Sequence, residues 1–307
     1  MIGLRLLQEF LDGIDTKEFS EAYITKKRAY ECLDLAACIF ARDTRALKRE
    51  TEITTAAEQQ EYPLPPSFID LYMRDADDNF FVRYTGDNNI ISWPIQIPPD
   101  YIYLMHETTP QDYPPHFSIE DVHAEQALIT GAATSPGAAA NGRSILEDST
   151  KNFLTTNRVC PRDRIYNNTA GAEGMVLSVI DATHLYTALF SGNNIEEWDA
   201  SDTYTIIPAT AALIKLAYPS LTAGHKIAVP YVSLPSPVFW DLGAWTYPER
   251  VCKAITSGAA ALFKTGKTEY QEAQSLGNLF DAEVLRYKIE QGAKTLKQKS
   301  GRGRYRW

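Results

Sequence analysis

Gly137-Ala-Ala-Ala-Asn-Gly142-Arg143-Ser144 carries the glycine spacing of a phosphate-binding loop, whose backbone N–H groups would cradle a nucleotide. The lysine such a loop needs is replaced by Arg143, no apolar strand leads in, and no helix pattern clearly follows, so nucleotide binding is not expected. Asp75, Asp77 and Asn79 match the opening ligands of a calcium loop. Phe80 stands where that loop demands glycine, and Gly86 where it demands the bidentate glutamate, so the cluster reads as a solvated hairpin turn. His106, His116, His123, His184 and His225 form no i, i+4 pair suited to a metal. His123-Ala124-Glu125 matches the start of a deaminase motif, but no PCxxC follows, and there is no GxSxG elbow. Glu196, Glu197 and Asp199 offer paired carboxylates for sugar hydrolysis, although acids in an Asn-rich loop usually face solvent. Asn167-Asn168-Thr169 is a glycosylation sequon without a secretory context. The expectation is a protein with no catalytic, cofactor-binding or metal-binding residue, and not an enzyme.

Composition bounds the class of chain. Hydrophobic residues make up 44% and charged residues 22% of 307 positions, the range of a folded globular protein. The start, MIGLRLLQEFLDG, has neither a cationic n-region nor a small-residue cleavage site, so no signal peptide is expected. Nowhere do about eighteen apolar residues run together, and no membrane span is expected. Cys32, Cys38, Cys160 and Cys252 form no CxxC pair, which excludes zinc ribbons and thioredoxin-type motifs; Cys32 and Cys38 read as small buried hydrophobes in a reducing cytoplasm. Charge is uneven. The last fifteen residues hold six bases and no acid, leaving 24 bases against 39 acids on the remainder, a balance of −15.

The elements follow from periodicity. Ile2, Leu6 and Phe10 mark a short amphipathic helix ending at Gly13. A second helix is predicted from about Thr25 to Leu47, with Ala29, Tyr30, Leu33, Ala36, Ala37 and Phe40 on one stripe. Strands with proline-rich joints are predicted after Thr51, including FFVRY (80–84) and YIYLM (101–105) around a turn at Gly86–Asn89. Residues 119–209 open on the low-complexity run ITGAATSPGAAANGRS and continue as short β runs punctuated by Gly171, Gly174 and Gly192. ALIKLAY (212–218) and KIAVPYVSL (226–234) add two strands. Two helices end the chain: PERVCKAITSGAAALFKTG with Val251, Ile255, Ala259 and Leu262 on a stripe, then one over about 267–292 with Ala282, Leu285 and Ile289 on one side. This order predicts an α+β fold in which N- and C-terminal helices form a bundle beside a small antiparallel sheet, with 119–209 as an inserted all-β domain, barrel or sandwich-like.

Two segments together resemble the head-to-tail connector (adaptor) proteins of tailed bacteriophages: TEITTAAEQQEYPLPPSFIDLYMRD (51–75) and IKLAYPSLTAGHKIAVPYVSLPSPV (214–238). In the first a Thr-rich strand leads to Tyr-Pro-Leu-Pro and an apolar strand; in the second Tyr218-Pro219 precedes a turn and a Val-Pro-Tyr-Val strand. The resemblance covers about 1–118 and 210–307. Such adaptors commonly lack 119–209. ILEDSTKNF, RDRIYNNTAG, GMVLSVIDATHLYTALFSG and WDASDTYTI within that block resemble a small β module of phage virion proteins.

The resemblance implies a virion protein at the head–tail junction, made in the host bacterial cytoplasm. It implies about a dozen copies in a homododecameric ring beneath the portal. Its partners would be the portal protein, the tail or neck protein below, and further copies of itself, with viral DNA passing through an acidic lumen that repels phosphate. The basic tail, 293–307, is the expected portal-docking element through Lys294, Lys297, Lys299, Arg302, Arg304, Tyr305, Arg306 and Trp307. Gly301 and Gly303 predict that this tail is unstructured in the free chain. The alternative is a carbohydrate-binding or glycan-cleaving virion protein acting through the β insert.

Overall fold

The computed structural model describes residues 3–20, 22–72, 82–104, 110–121, 128–137, 143–154, 156–208, 212–238 and 249–302. Among them are five α-helices and sixteen strands in three sheets, an α+β fold in which every strand pairing but one is antiparallel. The chain divides into two compact units. One comprises Met1–Thr44, Leu128–Ile207 and Pro235–Trp307; the other comprises Arg45–Ala127 and Pro208–Leu234.

In the first unit, α1 (Gly3–Gly13) buries Leu6, Leu7, Phe10 and Leu11, and α2 (Lys26–Thr44) buries the whole stripe from Ala29 to Phe40. Thr25 caps α2 by accepting the Arg28 N–H at 3.2 Å, and Arg45 ends it in the left-handed conformation (φ 50°). Next comes α4 (Glu249–Gly266), whose Val251, Ile255, Ala259 and Phe263 are buried, and then α5 (Tyr270–Arg302). Phe10 meets Phe263 edge-on, and Phe40 meets both Phe280 and Tyr287, so α1, α2, α4 and α5 share one core. Gly258 lets α4 and α5 approach closely, since a Cβ there would lie 2.6 Å from the Phe280 ring.

The same unit holds a seven-stranded antiparallel sheet. Its strands are β8 (Ile129–Ala132), β9 (Ser144–Glu147), β10 (Arg164–Asn167), β11 (Ala172–Val179), β12 (His184–Ser191), β13 (Asn194–Ile195) and β14 (Thr203–Ile207). The order is β13-β12-β11-β10-β14-β8, with β9 also on β12. This corrects the barrel alternative: β8 pairs with β14 alone among the described strands, so the sheet stays open. Trp198, Tyr204, Phe153, Leu146 and Leu189 fill its core. Side-chain acceptors hold its turns. Asp148 takes the Thr150 N–H, Asp181 the Thr183 and His184 N–H groups, and Asn167 the Thr169 and Ala170 N–H groups. The sheet also packs on α2, where Tyr30 and Phe190 lie 5.9 Å apart and the Lys26 N–H donates to Asn193.

In the second unit, β1 (Lys48–Thr54), β3 (Phe68–Leu71), β4 (Arg83–Thr85) and β5 (Ile91–Ser92) form one sheet with β16 (Lys226–Ser233). A second sheet holds β2 (Glu61–Pro63), β15 (Ala212–Leu216), β7 (His116–Asp121) and β6 (Ile95–Gln96). Tyr62, Leu71, Tyr84, Phe117, Ile214 and Ile227 form a core common to both. One predicted strand is a helix: YIYLM lies largely in α3 (Pro99–Leu104), because Pro99 and Asp100 begin it with the residues a first helical turn prefers.

Candidate functional site

Residues 51–72 and 214–234 come together in the second unit. Residues 51–75 include most of β1 and all of β2 and β3; residues 214–238 include most of β15 and all of β16. β1 runs antiparallel to β16 from Lys48↔Val232 to Thr54↔Lys226, and β3 joins the same strand with Leu71↔Tyr231. β2 pairs β15 with Leu213↔Pro63 and Ile214↔Tyr62. Thr55 and Tyr62 then tie the turns, Thr55 to Thr222 O and Tyr62 to Gln59 O and Ser220. Pro230, within β16, lies opposite Glu50, where no ladder N–H is available.

The C-terminal hairpin, α4 and α5, carries four of the eight expected docking residues, Lys294, Lys297, Lys299 and Arg302. The connection after Gly266 is three residues long, which sets α4 and α5 antiparallel. Lys264, buried at the end of α4, meets Glu272, Glu269 (3.2 Å) and Asp15 (3.5 Å). Its bond to Glu272 outweighs burial and raises its pKa. By rise per residue α4 is about 27 Å long and α5 about 50 Å, so α4 can accompany only the first half of α5.

The predicted end of this helix was about residue 292; it continues to Arg302. Residues 293–300 are mostly strong helix formers without proline, and a single Gly301 costs only about 1 kcal/mol in a helix. Lys294, Lys297, Lys299 and Arg302 therefore stand on the last turns of α5, a correction to the expectation of an unstructured tail. Arg304, Tyr305, Arg306 and Trp307 lie outside the described residues.

The face that α5 buries differs from the stripe visible in its sequence. Ala273, Phe280 and Val284 are buried, with Tyr287 partly so. Leu285 and Ile289 are 59% and 62% exposed. Beside them a groove of 530 Å³ opens between the hairpin helices and α2, lined by Phe40, Val251, Ala254, Leu279, Glu283 and Arg286.

The chemical candidates disperse. Gly137 sits in an isolated bridge to Trp198, and Ser144 begins a strand, not the helix a phosphate loop needs. Asp75, Asp77, Asn79, His106 and His123 lie outside the described residues. Trp198, in the middle of the acidic loop, is fully buried and donates its Nε1–H to Thr187, so it offers no platform for a sugar. The sequon's Asn167 is buried and bonded to Asp202 at 2.7 Å.

Two histidine clusters were not legible beforehand. His184 lies 2.8 Å from Asp181 and 3.6 Å from Glu147, and the Ser135 hydroxyl donates to Glu147, not to the imidazole. Backbone N–H bonding from Thr183, followed by the bond from His184, lowers the Asp181 pKa. Buried His225 meets Tyr84 OH at 2.8 Å, Asp87 at 3.3 Å and Asp112 at 3.4 Å. Burial pushes the Tyr84 hydroxyl up to about 12. A hydroxyl reaches the imidazole in each cluster: Thr183 Oγ1 lies 3.0 Å from His184 Nδ1, and Tyr84 OH is the 2.8 Å partner of His225. Burial likewise pushes the Cys32 thiol to about 11 and Cys38 to about 12. Among the described residues no group of three His, Cys, Asp or Glu could hold a metal, and no helix is long and apolar enough to cross a membrane. No protein-family model matches the chain, and no curated protein sequence matches it.

Proposed function

We propose that this chain is a virion structural protein, the head-to-tail adaptor of a tailed bacteriophage. In this reading it forms a ring beneath the portal, joins capsid to tail, and continues the DNA channel. The terminal helices make the ring body, and 119–209 is a β module inserted into a loop of the adaptor sheet.

The observation that carries the reading is the pairing of 51–75 with 214–238. Segments far apart in sequence, each resembling adaptors, supply the partners β1–β16, β3–β16 and β2–β15. Chance likeness in two unrelated stretches gives no reason for them to form one sheet system. The insertion has a matching feature: Asp121, at the end of β7 and three residues into the block, and Ala212, just after the block, are register partners in β7 and β15. A module entering between adjacent antiparallel strands leaves their ladder intact.

The acidic remainder of the chain suits a lumen that lets DNA slide, and a basic C-terminal segment suits an acidic acceptor on the portal. The test is to mix the purified full chain with rings of the portal protein encoded beside it and to image the product. The expected result is added ring density that saturates at one copy per portal subunit. Absence of any portal complex would overturn the adaptor reading.

A further inference from the structure

The outward stripe of α5 has features that specify its partner. Ala282, Leu285 and Ile289 follow the three-and-four spacing of a helix-pairing seam, and Leu296 stands seven residues beyond Ile289. Leu285 and Ile289 are exposed, while the opposite face of the helix, at Phe280 and Val284, already packs into the core. The flanking charges are segregated. Residues 270–285 carry three acids and no base, and residues 286–302 carry six bases and one acid, charges of −3 and +5. Acids first and bases last complement the helix dipole, which accounts for the sign of the split but not for the apolar stripe.

We propose that in the free protein α5 pairs with α5 of a second copy, antiparallel and centred on Ile289. In that register the acidic half of each helix lies along the basic half of its twin. Asp281 falls opposite Lys297, and Lys288 opposite Glu290, in the sequence positions the centre dictates. Size is complementary as well. Leu285 falls opposite Ala293, Ala282 opposite Leu296, and Ile289 on itself, so large residues face small ones. A parallel, in-register pair would instead set Lys294, Lys297 and Lys299 against their own copies. The pairing is isologous and closes as a dimer. It does not depend on the adaptor reading, and it would leave a free chain unable to propagate a ring from this face.

Sedimentation of the full chain at micromolar concentration should give twice the chain mass. Leu285→Glu with Ile289→Glu should raise the dissociation constant at least about tenfold, since the pairing would bury both carboxylates. Both positions are exposed, so a cooperative melting transition kept by the variant separates lost pairing from lost folding. Orientation is read by oxidative cross-linking above the wild-type background. Ile289→Cys should bridge to its own copy, whereas Asn278→Cys should not, because the two 278 positions would be about 33 Å apart. A single-chain mass at every concentration, a dimer indifferent to the two glutamates, or equal cross-linking at 278 and 289 would each overturn the proposal.

Discussion

Arg162, from the loop leading into β10, and Asp34, in the middle of α2, face each other with both side chains nearly buried. Arg162 Nη2 donates to Asp34 Oδ1 at 3.1 Å and to Pro235 O at 2.8 Å. Asp34 also accepts the Val238 N–H at 3.1 Å. One ion pair thus joins three stretches of chain: the helical body, the β block and the segment that leads back to α4.

Arg162→Met should therefore be severe. Removing one partner of a buried pair typically costs about 3–5 kcal/mol, because the other charge stays buried without compensation. Replacing both, as Arg162→Met with Asp34→Leu, should recover most of that loss. Urea unfolding of the two variants measures the difference. A loss of only about 1 kcal/mol for the single change would place the pair with exposed ones.

This joint shows where sequence reading stops. The α2 stripe was legible because Ala29, Tyr30, Leu33, Ala36, Ala37 and Phe40 make a one-sided pattern that only one packing satisfies. Asp34 and Arg162 are polar residues 128 positions apart, and nothing local says that they meet. On α5 the difficulty was an excess of pattern. Phe280 and Val284 make one apolar stripe, Ala282, Leu285 and Ile289 another, and periodicity does not say which faces the core. YIYLM alternates like a strand, and the helix-starting Pro99-Asp100 beside it decided otherwise. The pairing of 51–75 with 214–238 joins stretches far apart in sequence, and no local property of either names its partner.

Asp148 gives the β sheet an acid dependence. Its Oδ2 accepts the Tyr204 hydroxyl at 2.7 Å, and its Oδ1 accepts the Thr150 N–H and hydroxyl. Burial pushes this carboxyl up, but the bonds from Thr150 and then Tyr204 outweigh it and leave the pKa lowered. A lowered folded-state pKa stabilises the protein above the unfolded value near ~3.9 and loses that stabilisation as pH falls through the folded value. Melting temperature measured from pH 6 downward (about three units of range) should fall less steeply for Asp148→Asn than for wild type. Parallel curves would show that Asp148 does not contribute.

Lys264 has the opposite sign. Its raised pKa means stabilisation fully present below the unfolded value of ~10.4 and lost as pH rises through the folded value. Its acidic partners are largely exposed, so Lys264→Met should cost only about 1–2 kcal/mol at neutral pH. That gap should narrow as pH rises above about 10.4, where the unfolded chain releases this proton before the folded one does. Chemical unfolding at neutral and alkaline pH compares the two. A gap that stays constant would assign the loss to packing alone.

The basic end of the chain can be dissected because α5 continues to Arg302. Deleting 303–307 removes Arg304, Tyr305, Arg306 and Trp307 while leaving Lys294, Lys297, Lys299 and Arg302 on the helix. Deleting 293–307 removes all eight. If the tail docks in a groove of the portal, arginine supplies paired hydrogen bonds to carboxylates and tryptophan supplies the anchor. Trp307→Ala should then weaken portal binding by at least about 2 kcal/mol, and the shorter deletion should account for most of the effect. If the tail instead holds DNA phosphates, affinity should fall steeply with salt and hardly respond to the tryptophan. Portal binding of the wild type, Trp307→Ala and both deletions, measured at two salt concentrations, separates these outcomes. Portal binding undiminished by loss of 293–307, in a protein whose melting curve is unchanged, would remove the tail from the interface.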